Sequence, residues 1–472
     1  MRSHIRIRGR FFSFRSLYEV MAKANEEKSG DRLAGIGAES ELERVAAKAL
    51  LAEMELRTFR EYPAVPYESD EVTRLIQDAL DEDVYREIRG WSLAQLREYV
   101  LSHTTGPEDL RRLSRGLTSE MIAGLAKIMS NMDLMVAASK IHNHARCRTT
   151  IGILGTLASR LQPNHPTDDP DGITASIKDG LAYGVGDALI GINPVEDTPN
   201  NIRRLMEHVF RVTHEELEVP TQISILAHIS TQMEALRAGG TTDLLFQSIA
   251  GTEKANRSFG VTSVLLEEAR LQLRHRNPRL GPNVFYFETG QGSELSSCAH
   301  EGVDQVTLEA RCYGFARIFR PFLVNTVVGF IGPEYLYDAK QVLRAGLEDV
   351  FMGKLHGLPM GIDVCYTNHM KMDQNDLENL AVLVTAARAC YLMGVPMGDD
   401  VMLNYQTTSY HDVASLRQLF GLRPLPEFER WLASMGIMHN GALTQSAADP
   451  SCFSEWCGEE ECRAHGSQHC HA

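Results

Sequence analysis

The segment VFYFETGQG, residues 284 to 292, carries an apolar run into a carboxylate and then into a glycine-rich turn. Seven other short apolar runs carry glycine or a polar side chain at or near their ends: TTIGILG (149 to 155), DALIGINP (187 to 194), ISILAHI (223 to 229), LLFQSIA (244 to 250), NTVVGFIGP (325 to 333), GIDVCYT (361 to 367) and YLMGVPMGDD (391 to 400). Helix-length amphipathic segments separate the runs, among them 231 to 239, 260 to 274, 302 to 319, 338 to 353 and 376 to 390. Eight strands alternating with helices predict an α/β fold, a (β/α)8 TIM-type barrel. Such barrels place their chemistry at the carboxyl ends of the strands, so the ends of these runs nominate an active site.

Outward from the barrel, residues 17 to 145 show apolar positions at three- and four-residue spacing behind Ser and Thr caps, in SLYEVMAKANEEKSG, SELERVAAKALLAEM, SLAQLREYVL and TSEMIAGLAKIMSNMDLMVAASKI. The division expected is an N-terminal, mostly helical region over 1 to 145, the barrel over 146 to 405, a short C-terminal helical extension over 406 to 450 and a tail over 451 to 472. At 472 residues the chain is long enough for one barrel and a second layer around it.

With a net charge of -15 there is no basic field for nucleic acid or an anionic membrane, and no run of 18 apolar residues appears. The basic opening MRSHIRIRGRFFSFRSLYEV lacks the apolar core of a secretory signal and reads as a surface strand or arm of a cytosolic protein. Cys147, Cys298, Cys312, Cys365 and Cys390 stand singly and are expected as reduced thiols. Cys452, Cys457, Cys462 and Cys470 crowd the tail with His465, His469 and His471; their spacing fits no paired metal frame, so a frayed tail with adventitious metal affinity is expected.

The strand ends supply Arg160 and Gln162 just beyond the first run, then Asn193, His228, Gln247, Glu288, Phe330, Asp363 and Met393. Glu288 and Asp363 carry the most information, because a carboxylate within an apolar strand needs a partner to offset its desolvation. A small cation is such a partner: an ammonium about 4 Å from one carboxylate gains roughly 4 kcal/mol at an effective dielectric of 20. There is no HxH or HExxH set, no dinucleotide-binding fingerprint, no phosphate-binding loop and no strand-end lysine. His228, His356, His369 and His411 are dispersed and read as ordinary hydrogen-bonded histidines.

The motifs ERVAAK, VTRLIQD, LREYVL, TTIGILGTLASRLQPN, YGVGDALIGINPV, FQSIAGTEK, YFETGQGS, DQVTLEAR, NTVVGFIGPEYLY, GLEDVFMGKL, CYTNH, MGDDVMLNYQTT and RPLPEFERWLASMGIM occur in order over nearly the whole length. On these the sequence resembles the heavy (large) subunit family of ethanolamine ammonia-lyase. The resemblance implies an adenosylcobalamin-dependent radical lyase that converts ethanolamine to acetaldehyde and ammonia. It further implies a small subunit over the corrin, a trimer of heavy-subunit dimers, and a place in the cytoplasm, either free or within a bacterial microcompartment.

Residue by residue, the resemblance places substrate contacts on Arg160, Gln162, Asn193, Glu288 and Asp363, with Arg160, Glu288 and Asp363 as the catalytic set. Glu288, Gln162 and Asn193 would meet the amino group, Asp363 and Gln162 the hydroxyl, and Arg160 the migrating group. Phe330 and Met393 would wall the pocket, and Pro194, Gln247, Ser296 and Met402 would touch the cofactor. No protein side chain is expected on cobalt, and the DxHxxG motif is absent. Glu294 and Cys298 stand where the family commonly has smaller neutral residues, and Glu294 is expected to point to solvent. The alternatives are a non-catalytic barrel scaffold of an ethanolamine-utilisation compartment, or a different TIM-barrel lyase or hydrolase.

Overall fold

The computed structural model describes residues 3–456. Its centre is an eight-stranded parallel sheet: β1 (Ala158–Leu161), β2 (Leu189–Ile192), β3 (Ile223–Ile225), β4 (Leu245–Ser248), β5 (Phe285–Thr289), β6 (Leu323–Val328), β7 (Met360–Val364) and β8 (Tyr391–Gly394). Pairing runs β3-β2-β1-β8-β7-β6-β5-β4, in parallel register throughout. The ring closes between β3 and β4 through Leu244 N to Ile223 O (3.1 Å) and Ser224 Oγ to Leu244 O (3.1 Å). Helices follow the strands and cover them, so both faces of the sheet are buried and the (β/α)8 expectation holds.

The first run does not form the first barrel strand. Thr150–Ile151 folds back on Ala145–Arg146 as a short antiparallel pair, and Gly152 and Gly155 adopt positive φ. Those two left-handed turns interrupt the extended chain, and the barrel begins only at Ala158. Two crossover helices, Pro170–Ala182 and Pro199–Phe210, are additional to the amphipathic segments read from sequence. Each opens on Pro at the first helical position behind an Asp or Thr cap.

The N-terminal layer begins with the hairpin His4–Ile7 and Arg10–Ser13, then helices capped by Ser16, Ser40, Asp70, Asp81, Ser92 and Thr118. The long apolar pattern after Thr118 is two helices, Ser119–Ile128 and Asn131–Lys140. Met129 turns extended, and Ser130 with Asp133 forms a capping box that restarts the helix.

This layer is fastened to the barrel by buried charge. Lys127 Nζ reaches Asp304 Oδ1 (2.6 Å) and Asn25 Oδ1 (2.7 Å). Arg311 binds Asp70 (2.7 Å), Glu120 (2.6 Å) and the carbonyl of Gly251 (2.8 Å). Behind β1 and β2, Arg417 of the C-terminal helix Tyr410–Phe420 pairs with Asp187 (2.9 Å), which also accepts from Ser159 N and Leu425 N. Phe453 is buried and stacks on Trp431. The cysteines and histidines of the tail beyond residue 456 lie outside the described residues.

Candidate active site

The strand ends meet at the carboxyl mouth, where Arg160 is the centre. Although at the end of β1, its side chain crosses the bore: Nη1 donates to Glu288 Oε1 (2.9 Å) and to the Tyr286 hydroxyl on β5, and Nη2 to Gln162 Oε1 and Asn193 Oδ1 (3.2 Å). Burial opposes the Arg160 charge, but Tyr286, Glu288, Tyr405 and Asp363 together hold its pKa above the ordinary guanidinium range.

Glu288 collects three hydrogen bonds on one oxygen, from Arg160, Tyr286 and Asn325 Nδ2 (3.2 Å) on the adjacent β6. Among the described residues none reaches Oε2, and the side chain keeps 14% exposure. The partner that its burial requires is therefore Arg160 within the protein, with Oε2 free of protein donors among the described residues.

Asp363 on β7 is buried, with Tyr405 donating to Oδ2 (2.9 Å) and Thr407 to Oδ1. Burial pushes its pKa up to about 7, against the hydrogen bonds of Thr407 and Tyr405 and the charge of Arg160, while the Glu288 charge raises it further. Burial likewise pushes the Tyr286 and Tyr405 phenols well above their usual range.

Gln162 links the two carboxylate ends. Its Nε2 donates to Asp400 Oδ2 (2.7 Å) and to the Tyr405 hydroxyl (3.0 Å), while its carbonyl faces Arg160. Asn164 supports both Asp400 (2.8 Å) and Asn193, whose backbone N donates to Asn164 Oδ1 (2.8 Å). Arg160, Gln162, Asn193, Glu288 and Asp363 thus form one hydrogen-bonded constellation. Tyr286, Asn164, Asn325, Asp400, Tyr405 and Thr407 also belong to it, and several lie within motifs read from sequence for family rather than for role.

At the rim, Phe330 is partly exposed and meets Tyr405 edge to face at 5.2 Å. Met393 is buried within β8, Pro194 and Met402 are half-buried, and Ser296 is exposed on the loop after β5. Gln247 is engaged with the backbone, accepting from Ile229 N (2.9 Å) and donating to Ser248 O (3.0 Å). His228 caps the helix Ile229–Arg237 and bonds Phe259 O (2.8 Å), and His356 bonds Ser119 and Met352 O; both are structural, as expected.

Glu294 departs from expectation. It is fully buried, its Oε1 accepting from Gly251 N (2.6 Å) and from the Cys312 thiol (3.3 Å). The short turn Ser293–Ser296 points it inward beneath the loop after β4, and burial raises its pKa. Solvent exposure was the simple reading of an acid in a polar loop; the bare amide of Gly251 supplies the partner that makes burial tolerable.

A sequence profile of the ethanolamine ammonia lyase large subunit family matches residues 12–446. The chain belongs to that family. It is 54% identical over 445 residues to the ethanolamine ammonia-lyase large subunit of Escherichia coli (strain K12), covering 94% of this chain and 98% of the relative. The Salmonella typhimurium large subunit shows the same identity and the same coverage. Among solved structures, a dihydropteroate synthase from Coxiella burnetii aligns at TM-score 0.28 and 11% identity, over 59% of this chain and 98% of its own. No helix among the described residues is long and apolar enough to cross a membrane.

Proposed function

We propose that this chain is the catalytic heavy subunit of an adenosylcobalamin-dependent ethanolamine ammonia-lyase, which converts ethanolamine to acetaldehyde and ammonia. The observation that carries the reading is the unbroken chain of hydrogen bonds from Glu288 through Arg160 and Gln162 to Tyr405 and Asp363, built from the ends of β1, β5 and β7 and the loop after β8. The acceptors gathered there are Glu288 Oε2, the Gln162 and Asn193 carbonyls beside Arg160, and the Asp363 carboxylate held by Tyr405 and Thr407. A ring of acceptors beside one fixed guanidinium suits a small ligand with an ammonium at one end and a hydroxyl at the other. Glu288, Gln162 and Asn193 would hold the amino group, and Asp363 with Gln162 the hydroxyl, while Arg160 would polarise the migrating amine and face the corrin.

The mouth also fits a large, flat cofactor. Val195, Phe330, Met397 and Val401, on the loops after β2, β6 and β8, leave large apolar surface exposed at the rim, which a corrin would cover. Pro194, Gln247, Ser296 and Met402 would contact it, and Phe330 and Met393 would wall the space beneath. Bound there, adenosylcobalamin would supply the carbon-centred radical that removes hydrogen from the hydroxyl-bearing carbon. The protein's share is to bind and orient the amino alcohol, to hold the leaving amine by charge, and to keep water from the reacting carbon.

The relatives' designation as large subunits supports a small-subunit partner for this chain. We place three dimers of the heavy chain, with their small subunits, in the working assembly, free in the cytoplasm or in a microcompartment. The test is release of acetaldehyde and ammonia by the heavy chain co-purified with its small subunit, given adenosylcobalamin and ethanolamine. An assembled complex that releases neither would overturn the assignment.

A further inference from the structure

Tyr405 lies outside β8, on a strap (residues 399 to 409) that carries the antiparallel pair Asp399–Asp400 and Tyr405–Gln406 and returns over the mouth, yet its hydroxyl is fully enclosed between the two ends of the constellation. It accepts from Gln162 Nε2 (3.0 Å) and donates to Asp363 Oδ2 (2.9 Å). A phenol has one proton to give, so donation to Asp363 fixes its lone pairs toward Gln162. Gln162 is then fully committed: its two amide hydrogens go to Tyr405 and Asp400, and its carbonyl must face Arg160 and any ligand beside it. Asp400 is itself held, its other oxygen accepting from Met402 N (3.0 Å) and Leu403 N (2.7 Å). The strap therefore dictates which way Gln162 points.

We propose that Tyr405 is a positioning residue for the amino alcohol, its single hydroxyl orienting Gln162 as an acceptor and donating to the Asp363 carboxylate. This rests on the reading of the site as an amino-alcohol pocket. The groups facing Asp363 are Arg160 from β1, Glu288 from β5, Cys365 at the end of β7, Tyr391 from β8, and Tyr405 and Thr407 from the strap. Asp400 stands one hydrogen bond further, through Gln162. Cys365, Tyr391 and Tyr405 have pKa values pushed well up by burial, so they stay neutral where Asp363 titrates. Taking away the Tyr405 proton removes a donor that favours the Asp363 anion, so Asp363 would hold its own proton to higher pH.

The experiment is calorimetric titration of ethanolamine into the heavy chain in complex with its small subunit, across pH, for the natural protein and for Tyr405→Phe. Phenylalanine keeps the ring that meets Phe330. Loss of one charge-assisted hydrogen bond is expected to weaken binding about tenfold at about pH 6, narrowing to about twofold at about pH 8.5. In an Asp363→Asn background the pH-graded part should vanish. A loss equal at all pH values, or no loss, would overturn the proposal. So would failure of Tyr405→Phe to fold by circular dichroism while Asp363→Asn folds, which would make the hydroxyl purely structural. If the natural protein binds no ethanolamine at any pH, the amino-alcohol reading itself falls, and Tyr405's role falls with it.

Discussion

Arg160 on β1 and Glu288 on β5 meet across the full width of the barrel, Nη1 2.9 Å from Oε1, although four strand positions separate them around the ring. Glu288 thereby serves two cations: the guanidinium on one oxygen and, in the proposed reaction, an ammonium on the other. Glu288→Gln keeps the shape and one acceptor oxygen for Arg160, Tyr286 and Asn325, but deletes the charge and replaces the other acceptor with an amide donor. An ammonium contact worth roughly 4 kcal/mol at an effective dielectric of 20 corresponds to about a thousandfold. We expect kcat/KM for ethanolamine to fall by about two to three orders of magnitude, with circular dichroism unchanged; full activity would refute the assignment of Glu288.

Asp363 gives opposite signs for binding and for stability. Its carboxylate accepts from a hydroxyl more strongly than the protonated acid does, so ethanolamine binding should decline as pH falls through about 7. Its folded pKa lies above its ordinary value of 3.8, so between those values the folded state holds more protons than the unfolded one, and stability falls as pH rises through that window. Asp363→Asn should therefore raise the melting temperature relative to the natural protein more above pH 7 than near pH 4, while abolishing turnover. Equal shifts at both ends would contradict the buried-acid account.

Gly361, at the start of β7, lies against the Tyr391 ring of β8 so closely that a Cβ would sit 2.0 Å from a ring carbon. Both residues are fully enclosed, so the ring has nowhere to retreat. Gly361→Ala is expected to cost about 1 to 3 kcal/mol or more by overpacking, seen as a lower denaturant midpoint. The displaced strand carries Asp363 two residues on, so ethanolamine affinity should drop in parallel.

Glu294 ties the loop after β4 to the turn after β5. Glu294→Ala leaves the Gly251 amide buried without its acceptor, at a cost of about 1 to 3 kcal/mol. Hydrogen exchange should quicken at residues 250 to 252 and 293 to 299 while the barrel strands keep their protection. Unchanged exchange there would show that the clamp does no work.

Most of the barrel could be read from sequence because strands buried on both faces leave unbroken apolar runs, as in Leu189–Ile192 and Tyr391–Gly394. The first strand escaped because Ala158–Leu161 already contains Ser159 and Arg160, so its apolar signal is weaker than that of the glycine-broken run before it. Glu288 and Asp363 stood out as carboxylates in apolar context, whereas Tyr405 and Thr407 did not. A tyrosine and a threonine in a polar loop look like surface until the strap folds over the mouth, and only tertiary contact reveals what their hydroxyls touch. Glu294 was hidden for the converse reason, since its acceptor role depends on a backbone amide that no side-chain pattern announces.

The Arg160 side chain strings β1 to β5 like a spoke through a hub. A wheel braced in this way cannot change its girth without stretching the spoke, so swelling of the ring at its thinly bonded seam between β3 and β4 would be felt at once in the spacing of the reacting groups. Diameter and chemistry are thereby made a single mechanical variable, and distant substitutions that relax the rim should register first as lost catalytic alignment.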